Sequence, residues 1–170
     1  MIFYRSSYDS PLGKILLIST ETGLFGLSFY DNNDDFKNSG SESKYSQQKN
    51  IIDSAKRWLD IYFSGKEPDF TPPLDVSGTE FQPKVWKAVQ EIPRGQTMTY
   101  NKIAEKIHCR CALPVGGAVA GNKVLIIIPC HRVIGSKGDL RVYSGGLERK
   151  IKLLSLEGVK IEMREKHFVS

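Results

Sequence analysis

Five consecutive apolar side chains, Val124-Leu125-Ile126-Ile127-Ile128, lead directly into Pro129 and the triplet Cys130-His131-Arg132. Such a run is costly in water, so whatever fold this chain adopts must wrap a core around it. Its short length, its β-branched content and its bounding residues Asn122-Lys123 and Pro129 predict a buried strand. Pro129 then ends the ladder and turns the backbone, which puts Cys130 at the rim of a core. Burial alone raises a thiol's pKa and leaves it inert, so a reactive Cys130 requires a proton acceptor. His131 is the nearest. Adjacent strand residues face opposite ways, so the pair can cooperate only if the chain leaves the extended form at Pro129. Taken alone, a cysteine in this place fits a small core residue at least as well.

Charge divides the chain. From Gly78 onward 16 Lys and Arg stand against 8 Asp and Glu, while the residues before it carry 8 against 11. The half holding Cys130 is therefore the basic one, which favours a polyanionic partner for that half. At 170 residues the chain suits one large domain or two small ones. No apolar run approaches the ~20 residues of a membrane span, and Met1-Ile2-Phe3-Tyr4 lacks the features of a secretion signal. Three cysteines, two of them the Cys109-Arg110-Cys111 pair, do not read as a disulfide framework, which points to a reducing compartment. Cytoplasmic placement follows, or nuclear if the source is eukaryotic. With His108 as sole company, that pair does not make a metal site either.

Three short strands, 2–8, 14–20 and 24–30, open the chain as an antiparallel meander with hairpin loops at 9–13 and 21–23. The polar stretch 31–49 reads as a mobile loop. Ile52, Ala55, Leu59 and Tyr62 then mark a helix over 51–63 that Gly65 ends. Residues 66–77, with Pro68, Pro72 and Pro73, read as a linker between domains at 1–77 and 78–170. Thr79 and Gln82 fit a capping box for the next helix. Short helices over 100–107 and 112–120 suggest a helix-turn-helix. The turn at 135–138 precedes a last helix over 147–157, with Leu147, Ile151 and Leu154 inward and Glu148 paired to Lys152 outward. Glu157 opposes the dipole at that helix's C-terminus and so calls for a compensating partner.

The segment Gly121 to Val133 resembles the active-site signature of the O6-alkylguanine-DNA alkyltransferases. Flanking pieces agree: Gly78 to Gln82 with Val85-Trp86, Ile92 to Tyr100, Val115-Gly116-Gly117-Ala118, and Tyr143 to Leu147 with Glu157-Gly158. The resemblance implies an α+β fold, with an RNase H-like N-terminal domain and a winged helix-turn-helix-like C-terminal one. It implies that Cys130 takes an alkyl group from guanine O6 of DNA, with O4-alkylthymine as an extension, once per molecule and without a cofactor or metal. His131 would be the base acting through a water, Glu157 its orienting group, and Asn122 the holder of the turn. Tyr100, Val133, Tyr143, Ser144 and Lys150 would meet the extruded base. Arg110, Leu113, Val115, Gly116, Gly117, Ala118 and Arg132 would face double-stranded DNA. The helix of small residues cannot read base edges, but it can approach the DNA backbone closely. A monomer is expected, with cooperative coating of DNA left open.

Two positions depart from the pattern. Leu113 stands where the family usually carries the arginine that fills the gap left by the extruded base, and an apolar wedge can take that place. Arg141 stands where glycine is common, so that it either narrows the pocket or meets phosphate. Two other functions stay open: a lesion-binding protein that flags damage without repairing it, and a thiol hydrolase using Cys130 and His131.

Overall fold

In a computed structural model of the chain, residues 2–32, 38, 40–162 and 168–169 are described. They form two units, Met1–Val76 and Ser77–Ser170.

In the first unit β1 (Tyr4–Ser10), β2 (Gly13–Ser19) and β3 (Leu24–Phe29) pair antiparallel in sequence order. Pro11 and Leu12 make a two-residue connection closed by the Ser10–Gly13 pair, and Gly13 supplies the positive φ of 121° that the turn requires. Alternation along β2 buries Ile15 and Leu17, and α1 (Ser46–Phe63) covers that face with Ile52, Ala55, Leu59 and Tyr62. Ser64 closes α1 by donating to the Asp60 carbonyl at 3.1 Å, and Gly65 follows at φ 94°.

Two expectations need correction here. The stretch 31–49 is no uninterrupted loop, because a 3-10 turn at Glu42–Tyr45 runs into α1, which begins at Ser46. Buried Tyr45 and Gln48 give those residues a reason to order that apolar periodicity alone does not show; residues 33–37 and 39 lie outside the described residues. The proline-rich stretch is likewise no free linker at its end. Leu74 bridges to Leu24 in parallel, and the Asp75 carboxylate accepts from Thr22 Oγ1 at 2.8 Å and also from Thr20 Oγ1.

The second unit carries α2 (Gln82–Gln90), β4 (Met98–Thr99), α3 (Tyr100–Lys106), α4 (Leu113–Ala120), a 3-10 turn at Cys130–Arg132, β5 (Val133–Ile134) and α5 (Leu147–Leu156). β6 (Ile161–Glu162) and β7 (Phe168–Val169) close it as an antiparallel pair. The capping box forms as expected: Thr79 N–H donates to Gln82 Oε1 at 3.0 Å, and Gln82 N–H to Thr79 Oγ1 at 3.3 Å. Trp86 Nε1 donates to the Ala118 carbonyl at 2.8 Å, fixing α4 against α2. β4 pairs in parallel with β5, which tethers the residues just after Cys130 to those just before Tyr100.

The apolar run does not form the expected strand. It is buried, but it winds on itself: Ile127 N–H donates to Leu125 O at 2.8 Å and Ile128 N–H to Val124 O at 3.1 Å. Ile126 sits at φ 70°, a region that β-branched residues avoid. In α5, Leu147 is 41% exposed rather than inward, and Lys150 takes a core position instead. No described helix is long and apolar enough to cross a membrane.

Gly23 is the point where backbone meets backbone in the first unit. A Cβ there would lie 2.6 Å from the Leu74 carbonyl carbon, whereas at Gly26 it would meet only Ile18, at 3.5 Å. Gly23→Ala is expected to cost about 1–3 kcal/mol of unfolding free energy, as overpacking does. Urea midpoints check this, with Gly26→Ala as the comparison expected to lose less.

Candidate active site

Cys130 is placed by the winding that precedes it. After Ile126 the chain contracts, Pro129 turns at φ −81°, ψ 61°, and the Cys130 N–H donates to Ile128 O at 2.8 Å. Asn122 staples the loop with every polar atom of its side chain. Its Oδ1 accepts from Val124 N–H at 3.0 Å, and its Nδ2 donates to Ile128 O at 2.9 Å and to Cys130 Sγ at 3.1 Å. The chain thus leaves the extended form at Pro129.

The turn Cys130–Arg132 sends two side chains to one carboxylate. His131 Nε2 lies 2.6 Å from Glu157 Oε2, and Arg132 Nε donates to Glu157 Oε1 at 2.7 Å, all three side chains being buried. Glu157 is the C-cap of α5, where its charge meets the wrong end of the helix dipole, and these partners compensate it. Arg94 adds a donor to the neighbouring Leu156 carbonyl at 3.4 Å. Arg132 also donates to Ile92 O at 2.7 Å. The expectation that Arg132 faces DNA is therefore wrong: its guanidinium is consumed inside the unit, because a buried carboxylate needs a permanent counter-charge.

The electrostatics follow. Burial pushes Glu157 up, but its bonds to His131 and Arg132 together outweigh this and hold it well below the usual carboxylate range. Burial pushes His131 down against the pull of Glu157, so the imidazole is neutral. A neutral imidazole beside a carboxylate donates from Nε2, which leaves the Nδ1 lone pair as the acceptor. That Nδ1 is buried and has no hydrogen-bond partner among the described residues. Burial raises the Cys130 thiol to about 11, with the Asn122 hydrogen bond and the Lys150 charge acting in the opposite sense. At rest the sulfur is a protected thiol.

Lys150 is fully buried, with Nζ donating to Val133 O at 2.7 Å and to Leu140 O. Burial brings it down to about 8. The structure thus sets Lys150 and the Val133 carbonyl against each other rather than toward a bound base. Tyr143 is buried with its ring edge-on to His131 at 6.3 Å, and Ser144 is exposed, its Oγ donating to Ala120 O at 3.4 Å.

In the same unit a cavity of about 380 Å³ is lined by Tyr100, Leu113, Gly116, Gly135, Arg141 and Val142 among others. Burial raises the Tyr100 hydroxyl, and the Cys130 sulfur raises it further. Leu113 is 86% and Val142 87% exposed, the two most exposed large apolar side chains described. Helical periodicity splits the α4 motif: Val115 and Ala118 are buried in the core, while Gly116 and Gly117 have open space where a Cβ would be. Val115 and Ala118 therefore do not face DNA. Arg110 is exposed in the turn before α4. The carboxylate that Arg132 shares with His131 escapes sequence reasoning, since no spacing rule links residues 25 apart.

The 6-O-methylguanine DNA methyltransferase DNA-binding domain matches residues 80–159, and the ribonuclease-like domain of the same family matches residues 3–76. The methylated-DNA–protein-cysteine methyltransferase of Methanosarcina barkeri is 44% identical over 155 residues, covering 91% of this chain and 96% of its own length. The crystal structure of Mycobacterium tuberculosis O6-methylguanine methyltransferase superposes with a TM-score of 0.76 at 36% identity, covering 92% of this chain and 93% of its own. The same enzyme in complex with DNA gives 0.74 at 38% identity, covering 89% and 90%.

Two measurements follow from the electrostatics. Thiolate absorbance of Cys130 is expected to rise with a midpoint of about 11; Asn122→Ala, which removes a donor to sulfur, should move it higher, and an unchanged midpoint would deny that bond its role. The second is acid lability. Unfolded His131 takes up a proton near its ordinary value of about 6.5 while the folded residue resists, so unfolding free energy should fall as pH drops below that value. Glu157, depressed when folded, adds a further loss below the ordinary carboxylate value of about 4.3. Urea midpoints taken across this range check the sign, and a flat profile would contradict a buried neutral His131.

Proposed function

This chain belongs to the 6-O-methylguanine DNA methyltransferase family, and we propose that Cys130 is the residue to which it transfers the alkyl group. The activity is repair of DNA by direct reversal: the group leaves guanine O6 and stays on the protein. The supporting observation is the buried Glu157–His131 pair at 2.6 Å, with the Nδ1 lone pair of His131 left over on a residue adjacent to a thiol whose sulfur accepts from Asn122 Nδ2.

The reaction is a displacement at carbon. Cys130 loses its proton to His131 Nδ1 through a water, and the thiolate attacks the alkyl carbon as the carbon–oxygen bond breaks. A sulfur–carbon bond forms, and the electron pair of the broken bond goes to guanine. The Tyr100 hydroxyl, kept protonated by its surroundings, supplies a proton to the departing base and recovers one from His131. Glu157 holds the transient imidazolium, and Arg132 keeps Glu157 ionised throughout. The thioether resists hydrolysis, so each molecule acts once.

Guanine O6 is stacked inside a duplex, and extrusion costs a few kcal/mol. Leu113, exposed at the first position of α4, fills the vacated gap as an apolar wedge. The open faces of Gly116 and Gly117 let α4 approach the DNA backbone closely. Leu113 in place of a hydrogen-bonding finger also favours a second reading, in which damage is bound and flagged with little transfer.

Purified protein given duplex DNA bearing methylated guanine is expected to acquire one methyl group, on Cys130, as read by peptide mass spectrometry. Cys130→Ala should lose transfer and retain lesion binding. Methyl groups recovered in multiples of the protein would end the single-use reading, and an unmodified Cys130 would favour the flagging one.

A further inference from the structure

Gly135, Asp139 and Arg141 build a feature to which the displacement above assigns no role. Gly135 N–H donates to Asp139 O at 2.7 Å, and any Cβ at position 135 would overlap the Asp139 carboxylate. The space left by glycine lets that carboxylate lie over the turn, where Oδ2 meets Arg141 Nε at 2.6 Å. Arg141 sits at φ 62°, a conformation that residues with a side chain avoid and that surrounding structure must hold. Its guanidinium, 58% exposed, lines the cavity and is close enough to Tyr100 to favour that residue's ionised form.

The wall on the other part of that cavity is the first turn of α4, with Ala112, Leu113 and Gly116. Ala112 is its N-cap and makes no side-chain capping bond, so the positive end of the helix dipole adds to the arginine charge at the same mouth. Two sources of positive potential converge where a negative group would arrive.

We propose that Arg141, oriented by Asp139, anchors a backbone phosphodiester of the extruded nucleotide. The inference rests on the reading above, in which the extruded base meets Tyr100, a residue of this cavity's lining. A base whose alkyl group reaches buried Cys130 directs its substituted edge inward, past Tyr100, which leaves its sugar and phosphates at the mouth. An arginine held through Nε presents its terminal nitrogens as a fork, the geometry that two phosphate oxygens accept. Because Asp139 fixes the fork beforehand, little side-chain freedom is lost on binding.

The test uses Arg141→Gly, since glycine adopts the required φ without strain. The rate of Cys130 methylation by a methylated duplex, divided by the rate with the free O6-methylguanine base, should fall about tenfold, the worth of one charged hydrogen-bonded contact. The slope of log binding constant against log salt, taken on a methylated duplex with Cys130→Ala protein so that no transfer occurs, should become shallower by about 0.9 when Arg141→Gly is added, the share of one phosphate. Asp139→Asn should lower the same rate ratio alone and add nothing in the Arg141→Gly background. An unchanged ratio overturns the proposal. Equal losses on duplex and free base, with an unchanged salt slope, also overturn it, because they place Arg141 on the base. The salt slope needs no alkyl transfer, so a wild-type protein that fails to methylate Cys130 sinks the acceptor reading while the slope still decides the phosphate contact.

Discussion

Glu157 ends α5 with its carboxylate out of water, and two partners from a single 3-10 turn hold it there. A lone buried carboxylate would protonate or draw the chain open, while one shared with a guanidinium stays ionised without demanding a charged imidazole. This division of labour decides which nitrogen of His131 is basic. Arg132 meets the need for a permanent counter-charge, so His131 gives Glu157 a proton on Nε2 and keeps Nδ1 open. Were Arg132 on the surface, Glu157 would pull His131 toward the imidazolium, and the acceptor beside Cys130 would be gone. On the proposed mechanism, the burial of Arg132 is what keeps that acceptor open.

The second constraint is the compression of the apolar run. An extended strand over 124–128 would put His131 and Cys130 on opposite faces. Winding it, at the expense of a left-handed Ile126, shortens the path and lets Asn122 reach both Ile128 and Cys130. The run was legible as buried and as the approach to Cys130; its conformation was not. Hydrophobicity reports burial, and five residues without a period do not distinguish a strand from a coil wrapped on itself. The hydrogen bonds that settle the matter come from Asn122, whose role the family resemblance implied and whose geometry it did not contain.

Other elements were legible in proportion to how local their causes are. The three strands, the capping box of Thr79 and Gln82 and the Gly65 stop arise from residues within a few positions of one another, and each lies near its expected place. The first turns of α1 were missed because their reason for ordering is the burial of Tyr45 and Gln48, which no helical period marks. Leu147 and Lys150 were misassigned together. An aliphatic chain of four carbons can fill a core position once its ammonium finds carbonyls, here Val133 and Leu140, and that exchange depends on what faces the helix rather than on the helix itself.

The departures at Leu113 and Arg141 become comprehensible as one arrangement. An arginine wedge brings hydrogen bonds and charge to the place from which the base has gone, and Leu113 brings neither. The cavity beside it gains a guanidinium that the glycine common at position 141 in the family would not supply, held by a carboxylate that fits only because residue 135 has no side chain. On the proposed reading, the charge that Leu113 lacks in the gap of the stack is supplied by Arg141 on the extruded strand. Affinity drawn from that position grows only after the nucleotide has left the duplex. A contact made late in this way stabilises the extruded state over the stacked one, which is where binding energy assists a reaction whose target atom is hidden.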